Sequence, residues 1–365
     1  MKNYSLFAFA IIILAACNSG KTSQNFEEGA LYYDTIEVSI DYPFLSKYTQ
    51  HSAYVKHDTL FWSGYNHMTH SIDIFDLTNL KACQSIQLEK EGPNSIIDVI
   101  NFTIADTLLL FIDYQNNLNL YSRLNNNVLK RISPVADTEY RMFYNGVLSG
   151  SYISSVSMRL KESSLMFPIF PIKDQAIDDL LAVEMDLSTL KQSYLPLKYP
   201  DEMKEDFSFY SSLSFISLMN YDDRIVYNFP YSSNVYVYWK NNASINILPM
   251  ESKMTDNKTR KLESPNRRLR ELFKYEDETL RFREPYYCKE YDKYLRVHHD
   301  YVDENTEQRE SFLMSYNNTT KKTIEYKLPA SFTPIYFVEN NKLFFLLKSN
   351  DDSNLKFAVI ELAKI

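Results

Sequence analysis

Glycine is scarce in this chain, with 6 residues in 365, where average usage near 7% would supply roughly 25. Neither G-x-G-x-x-G nor G-x-x-x-x-G-K-[S/T] occurs, so the backbone cradles that hold dinucleotide and nucleotide phosphates are missing. G-x-S-x-G and H-E-x-x-H are absent as well, which removes familiar local signatures of serine hydrolases and zinc peptidases. Positive charge is in deficit, with 39 Lys and Arg against 47 Asp and Glu. The net charge of −8 argues against a whole-domain grip on nucleic acid. Beyond residue 17 only two cysteines occur, Cys83 and Cys288. Nothing in their spacing argues for a disulfide, and the expectation is two independent buried thiols. No run reaches the ~18 apolar residues of a membrane-spanning helix.

What is present begins with an address. Lys2 precedes an apolar run over 6–16, too short to cross a bilayer core of ~30 Å but suited to a secretory signal. The run ends in Leu14-Ala15-Ala16-Cys17, which resembles a bacterial lipobox. The expectation is therefore cleavage after residue 16 and lipidation of Cys17, with several acyl chains anchoring stably where one would not. The organisation predicted is a lipoprotein signal peptide over 1–16, a lipidated cysteine and polar tether over 17–29, and a single domain over 30–365. Asn18 follows the cysteine where an acidic residue would favour the inner membrane. The address is thus the cell envelope, at the outer membrane.

The rest of the chain repeats one unit: a strongly apolar strand, a polar turn, a second strand, a short turn and a third strand. One copy holds Leu60-Phe61-Trp62, Ile72-Asp73-Ile74-Phe75 and Ile86-Gln87-Leu88. Leading strands begin near residues 60, 108, 165, 225, 294 and 343, a blade-sized period with loop insertions. The high tyrosine and phenylalanine counts, 29 and 23, suit β structure. The predicted class is all-β, a six-bladed β-propeller, with a two-sheet sandwich as the alternative. The sixth copy ends at the C-terminus without its outer strand, and residues 34–40 form an unassigned strand. That N-terminal strand is predicted to close the last blade and remove an exposed edge. The turns Asp76-Leu77-Thr78-Asn79-Leu80-Lys81 and Asp186-Leu187-Ser188-Thr189-Leu190-Lys191 match, and Asn125 to Asn127, Asn241-Asn242 and Asn317-Asn318 fill the same slot. Asparagine tolerates left-handed backbone and could replace the missing glycine there. Residues 256–273 read as a basic loop excursion with a short helix opening at Ser264-Pro265.

The run Lys90-Glu91-Gly92-Pro93-Asn94-Ser95-Ile96 resembles the loop after the first blade in Bacteroidetes-type six-bladed β-propeller lipoproteins of a domain-of-unknown-function family, with Ser95 where those sequences carry glycine. The stretch from Glu284 to Tyr294 and the alternation Val235-Tyr236-Val237-Tyr238 are similar in style. The resemblance implies fold and compartment, and brings no established activity.

Candidate binding residues come from three places. Glu91 and Asn94 sit in the Gly-Pro turn, read either as a channel-mouth loop or as a structural turn between blades. Arg267, Arg268 and Arg270, with Lys258, Arg260 and Lys261, concentrate positive charge in an acidic protein and could meet an anionic glycan, headgroup or acidic partner. His298 and His299 precede Asp300, but neighbours on a strand point to opposite faces, so the pair cannot serve one site without a bulge. His67 and His70 would need a helical turn to converge. No metal, cofactor or catalytic residue is assigned. Asp34-Thr35, Asp58-Thr59 and Asp106-Thr107 read either as O-glycosylation acceptors or as plain turns. The expected function is a lipid-anchored binding module for an envelope protein, peptide or glycan, with no nucleic-acid partner. The competing reading is a hydrolase or lyase with a site in the central channel.

Overall fold

The computed structural model describes residues 25–40, 48, 50–97, 99–105, 107–113, 117–132, 140–142, 159–161, 164–171, 181–204, 206–264, 267–349 and 353–365. Residues 1–24, which include the expected signal peptide and Cys17, and Asp106 lie outside the described residues. The fold is all-β, with five sheets among the described residues.

Successive hairpins build successive antiparallel runs. The first is His51–Lys56, Thr59–Asn66, Ser71–Asp76 and Lys81–Gln87. The second is Asn101–Ala105, Leu108–Ile112, Leu118–Ser122 and Asn127–Ile132. In the third, Tyr140–Met142 and Arg159–Lys161 both pair with Ser164–Pro171, followed by Ala182–Asp186 and Gln192–Leu195. The fourth is Ser217–Asn220, Arg224–Asn228, Asn234–Trp239 and Ser244–Pro249. In the fifth, Arg281–Phe282 and Tyr286–Cys288 pair with Lys293–Val302, then come Arg309–Asn317 and Lys322–Lys327. The last is Phe332–Glu339, Lys342–Leu347 and Asn354–Glu361, and its fourth strand is the N-terminal Asp34–Ser39, antiparallel to Asn354–Glu361. A single parallel bridge, Ser39 to Lys81, fuses the first and last runs into one eight-stranded sheet.

The leading strands read from the sequence are the second strands of these runs. The true first strands escaped because several are short or only half-buried, such as His51–Lys56. Middle strands are buried on both faces, as Ser71–Asp76 and Arg224–Asn228 are throughout, so they read as continuous rather than alternating patterns. Outer strands such as Lys81–Gln87 are mostly exposed.

The core is divided. Tyr65, Ile72 and Ile74 of the first run pack with Phe102, Leu109 and Phe111 of the second. Leu110 and Leu118 pack with Leu165 and Phe167 of the third. Met166 and Ala182 pack with Ile225 and Tyr227 of the fourth. Val226 and Val237 pack with Tyr294 and Met314 of the fifth. Leu295 and Leu313 pack with Leu343 and Phe345 of the last. Phe337 and Phe357 of the last return to Trp62 and Phe75 of the first, with Val38 of the N-terminal strand between them. Each apolar cluster is therefore shared by two neighbouring runs.

The tight turns solve the glycine shortage differently from expectation. In the matched hexapeptides Asp76 Oδ1 accepts the Thr78 and Asn79 N–H groups at 2.9 and 2.8 Å, and Asp186 Oδ1 accepts those of Ser188 and Thr189 at the same distances. The left-handed residues are Leu80 (φ 55°) and Leu190 (φ 60°). Asn126 has positive φ as expected, but in the other two slots Ala243 and Lys321 take the left-handed conformation. The aspartate bonds hold the turn firmly enough to carry a side chain that would otherwise avoid this region. Asp303, with Asn305, Thr306 and left-handed Glu307, repeats the arrangement. The basic excursion ends in a helix, Leu269–Glu278, while the opening expected at Ser264-Pro265 falls partly outside the described residues.

The two thiols are free, but only Cys288 is buried. Cys83 is exposed because it lies on the outer strand Lys81–Gln87, which corrects the expectation of two buried thiols.

Candidate functional site

Strand alternation gathers a cationic cluster at the junction of the fifth and last runs. Arg281 pairs across strands with His299, and His299 with Ser311, so three adjacent strands place these residues in one row. Arg283 and Arg309 each stand two positions from a member of that row and share its face. The cluster lines a cavity of about 480 Å³ together with Lys348 and, as its one carboxylate among the described residues, Glu307.

The bonding is incomplete. Arg309 Nη2 donates to the carbonyls of Thr279 (2.8 Å) and Asp277, while its buried Nε has no partner among the described residues. Arg283 Nη2 donates to the Pro334 carbonyl at 3.3 Å, and its Nε lies 3.9 Å from Glu284 Oε2. The Arg281 residue is only 5% exposed, and its buried Nε and Nη2 have no partner among the described residues. Burial first, then Arg309 and Arg283, push its guanidinium down to about 9, against the pull of Glu276 and Asp277. Burial and the same arginine neighbours push His299 far below its usual range, so its ring is neutral. His299 Nδ1 lies 2.7 Å from Ser311 Oγ, and Nε2 has no partner among the described residues. Three guanidiniums on one face repel one another, and an unsatisfied buried donor costs ~1–3 kcal/mol.

A wider cleft of about 1020 Å³ adjoins this cavity and shares Gln308, Arg309, Leu328 and Ala330 with it. Its walls come from the 253–260 excursion, the 300–310 hairpin and residues 327–330. Arg260 lies over the Tyr301 ring at 4.4 Å. Four carboxylates (Asp256, Asp300, Asp303, Glu310) and four cations (Lys253, Arg260, Arg309, Lys327) line it in balance.

Of the residues singled out from sequence, only His299 belongs to this cluster. His298 faces the other way, stacked between Phe282 and Phe312, with Nε2 3.0 Å from Glu325 Oε1. Burial lowers its pKa although Glu325 opposes this. Burial alone would raise the Glu325 carboxyl, but bonds from His298, Ser252 and the Lys253 N–H hold it below its usual value. Arg267 pairs with Glu263 and Glu271, whereas Arg268 and Arg270 are exposed. Lys261 pairs with Asp206 and Lys258 lies over Tyr210 and Tyr231, so the basic stretch is dispersed over several partners. Glu91 is exposed. Asn94 Oδ1 accepts the Val128 N–H at 3.2 Å, Gly92 has φ 90°, and Arg131 donates to the Ser95 carbonyl. That loop ties the first run to the second. His70 is buried between Tyr65 Oη (2.7 Å) and the Ile96 carbonyl (2.6 Å) while His67 is exposed. Among the described residues no three His, Cys, Asp or Glu side chains gather to hold a metal. Sequence reasoning missed Arg281, Arg283, Arg309 and Lys348. The available signal was Arg281-Phe282-Arg283, two cations on one strand face.

The family profile of a domain of unknown function, DUF4221, matches residues 25–327. The chain belongs to the DUF4221 family. Its fold is similar to the crystal structure of a DUF4221 member from Bacteroides vulgatus, at 15% identity and a TM-score of 0.66, covering 91% of this chain and 98% of that one. A weaker likeness is to an oligogalacturonate lyase in complex with manganese, at 10% identity and a TM-score of 0.44, covering 93% and 99%. No curated protein matches the sequence. The DUF4221 match carries fold and family, and leaves the activity to be argued from the residues.

Proposed function

We propose that this DUF4221 protein is a six-bladed β-propeller, anchored to the outer membrane by lipid on Cys17, that works as a binding module for a peptide, glycan or envelope protein. The reading of six blades counts the eight-stranded sheet as two runs joined by one bridge. The apolar clusters shared cyclically between neighbouring runs support a ring over a two-sheet sandwich, which would have one continuous core. The anchor rests on the lipobox-like Leu14-Ala15-Ala16-Cys17.

The observation that carries the binding role is the cleft of about 1020 Å³ bearing Tyr301 and balanced charges, open beside the cationic cavity. Its size suits a segment of a polymer, and loops on a rigid scaffold are where binding residues concentrate. The test is in-cell cross-linking followed by purification of the intact lipoprotein and mass spectrometry. A stoichiometric partner that disappears with Tyr301→Ala supports the reading, and recovery of the lipoprotein alone refutes it. Fatty-acid labelling abolished by Cys17→Ala checks the anchor.

A further inference from the structure

We propose that the inner cavity is an oxyanion pocket that takes the carboxylate of the ligand whose body lies in the adjoining cleft. This rests on the binding role proposed for that cleft. The argument begins with the row Arg281, His299 and Ser311 and the flanking Arg283 and Arg309, which strand register forces onto one face. Among the described residues four cations and one carboxylate line a cavity of about 480 Å³, and Arg283 has a buried carboxylate beside it, Glu284 Oε2 at 3.9 Å from its Nε. Among the described residues no acceptor reaches Arg281 Nε and Nη2. Those two N–H groups form the parallel edge of the guanidinium, the geometry that matches two carboxylate oxygens. Neutral His299 can present Nε2 as a further donor when Ser311 occupies Nδ1.

The cleft explains why one terminal anion is expected rather than a polyanion. Its lining charges balance, so attraction for negative charge is concentrated in the inner cavity. The shared residues Arg309 and Gln308 sit where the two spaces meet. A ligand with a single carboxylate end and a neutral or mixed body, resting against Tyr301, satisfies both. Peptide C-termini and uronic acids share this chemistry.

The test uses the full chain in detergent, with binding read by calorimetry and thermal melting. The probes are N-acetylglycine for a peptide terminus, glucuronate for a uronic acid, inorganic phosphate, sulfate, and chloride at matched ionic strength. The expected result is saturable binding of at least one carboxylate, weakened at least tenfold by Arg281→Met. Without added anion, Arg281→Met should melt at or above the unsubstituted chain, because it removes a buried guanidinium whose unsatisfied donors and arginine neighbours outweigh the attraction of Glu276 and Asp277. A purely structural arginine would instead lower the melting point. Should Arg281→Met misfold, Lys348→Ala, at an exposed lining residue, should still weaken binding severalfold. Preference between the two carboxylates assigns the source. Saturation by phosphate or sulfate alone, or by no probe, overturns the proposal, as does unchanged affinity in both variants. Partner capture lost with Tyr301→Ala but intact with Arg281→Met overturns the pocket and leaves the binding role standing. Carboxylate binding with no captured partner does the reverse.

Discussion

Arg296 offers the sharpest test of how neighbouring runs are held together. Its side chain is fully buried, with Nη1 donating to the Ser233 carbonyl at 2.6 Å and Nη2 to the Met250 carbonyl at 2.8 Å. Both acceptors belong to the fourth run, flanking Asn234–Trp239 and Ser244–Pro249, whereas Arg296 lies on Lys293–Val302 of the fifth. Its guanidinium also lies 4.5 Å from the Phe282 ring centroid. Burial pushes its pKa down to about 9, with Tyr336 and Glu325 opposing, and it remains charged at neutral pH.

Replacing Arg296 by Met keeps much of the volume and removes the fork. Two hydrogen bonds to a charged donor contribute ~1.5–3 kcal/mol each, a gross loss of about 3–6 kcal/mol. The ring contact adds up to ~2 kcal/mol when desolvated. Against this, methionine escapes a desolvation penalty of several kcal/mol. The carbonyls left without a donor decide the sign, and the expected net destabilisation is about 3 kcal/mol. Urea unfolding followed by fluorescence of Trp62 and Trp239 reads it, because both are in or beside the clusters that join runs. The midpoint should fall by roughly 1 M for an m-value near 3 kcal/mol/M. Arg296→Lys should also lose stability, since one ammonium replaces a two-armed donor. A midpoint for Arg296→Met equal to or above that of the unsubstituted chain would refute the reasoning, and would mean that burial of the charge costs more than its bonds contribute.

Other outcomes are as specific. Burial raises Tyr210, Tyr236, Tyr294 and Tyr326 to about 12. Their folded pKa values exceed the unfolded value near 10, so the stability they contribute is complete below pH 10 and lost between pH 10 and 12. Buried Arg281, Arg296 and Arg309 pull in the opposite direction, but the raised tyrosines outnumber them, and unfolding midpoints measured from pH 8 to 11 should drop above pH 10. Val38→Asp, at a fully buried position opposite Leu355 in the N-to-C-terminal strand pair, should cost about 3 kcal/mol or more by burying a carboxylate without a partner. An unchanged melting temperature would mean that this pair does not close the structure. A thiol reagent should label Cys83 in the native protein and reach Cys288 only on unfolding, since one is exposed and the other buried. Arg267→Ala should leave the unfolding midpoint unchanged, since its pairs with Glu263 and Glu271 lie in solvent, which equilibrium unfolding can check.

Much of the all-β architecture was legible because its informative strands are apolar and separated by polar turns. Strands such as Leu108–Ile112 and Lys342–Leu347 declare themselves without an alignment. The pairing of Asp34–Ser39 with Asn354–Glu361 was foreseeable because a run lacking an outer strand leaves an edge, and a spare strand stood at the other end of the chain. The first strand of each run was less legible. Ser217–Asn220 is short and His51–Lys56 is only partly buried, so neither gives a strong apolar signal. The turns misled for a different reason: residue preference pointed to asparagine, while aspartate hydrogen bonds allow Leu80 and Leu190 to adopt left-handed backbone.

The site was harder to read than the fold. Clustered charge in the sequence at 267–270 is dispersed in space, because a helix and its approach aim successive residues in different directions. The cationic cavity has the opposite character, assembled from residues distant in the chain. Its members Arg281, His299 and Ser311 meet only through the register of three strands. The same alternation that brought His299 into the cluster sent His298 to the opposite face, as the adjacency of the two residues required.

Composition and local pattern by themselves determined that this chain makes strands, where its main hairpins fall, and that its two ends supply strands in need of partners. Those properties are written in short-range alternation and turn chemistry, which act within a few residues. Tertiary structure alone decided which charges converge. That depends on strand register and on which runs share an interface, and a shift of one residue would turn Arg281, His299 and Ser311 away from one another.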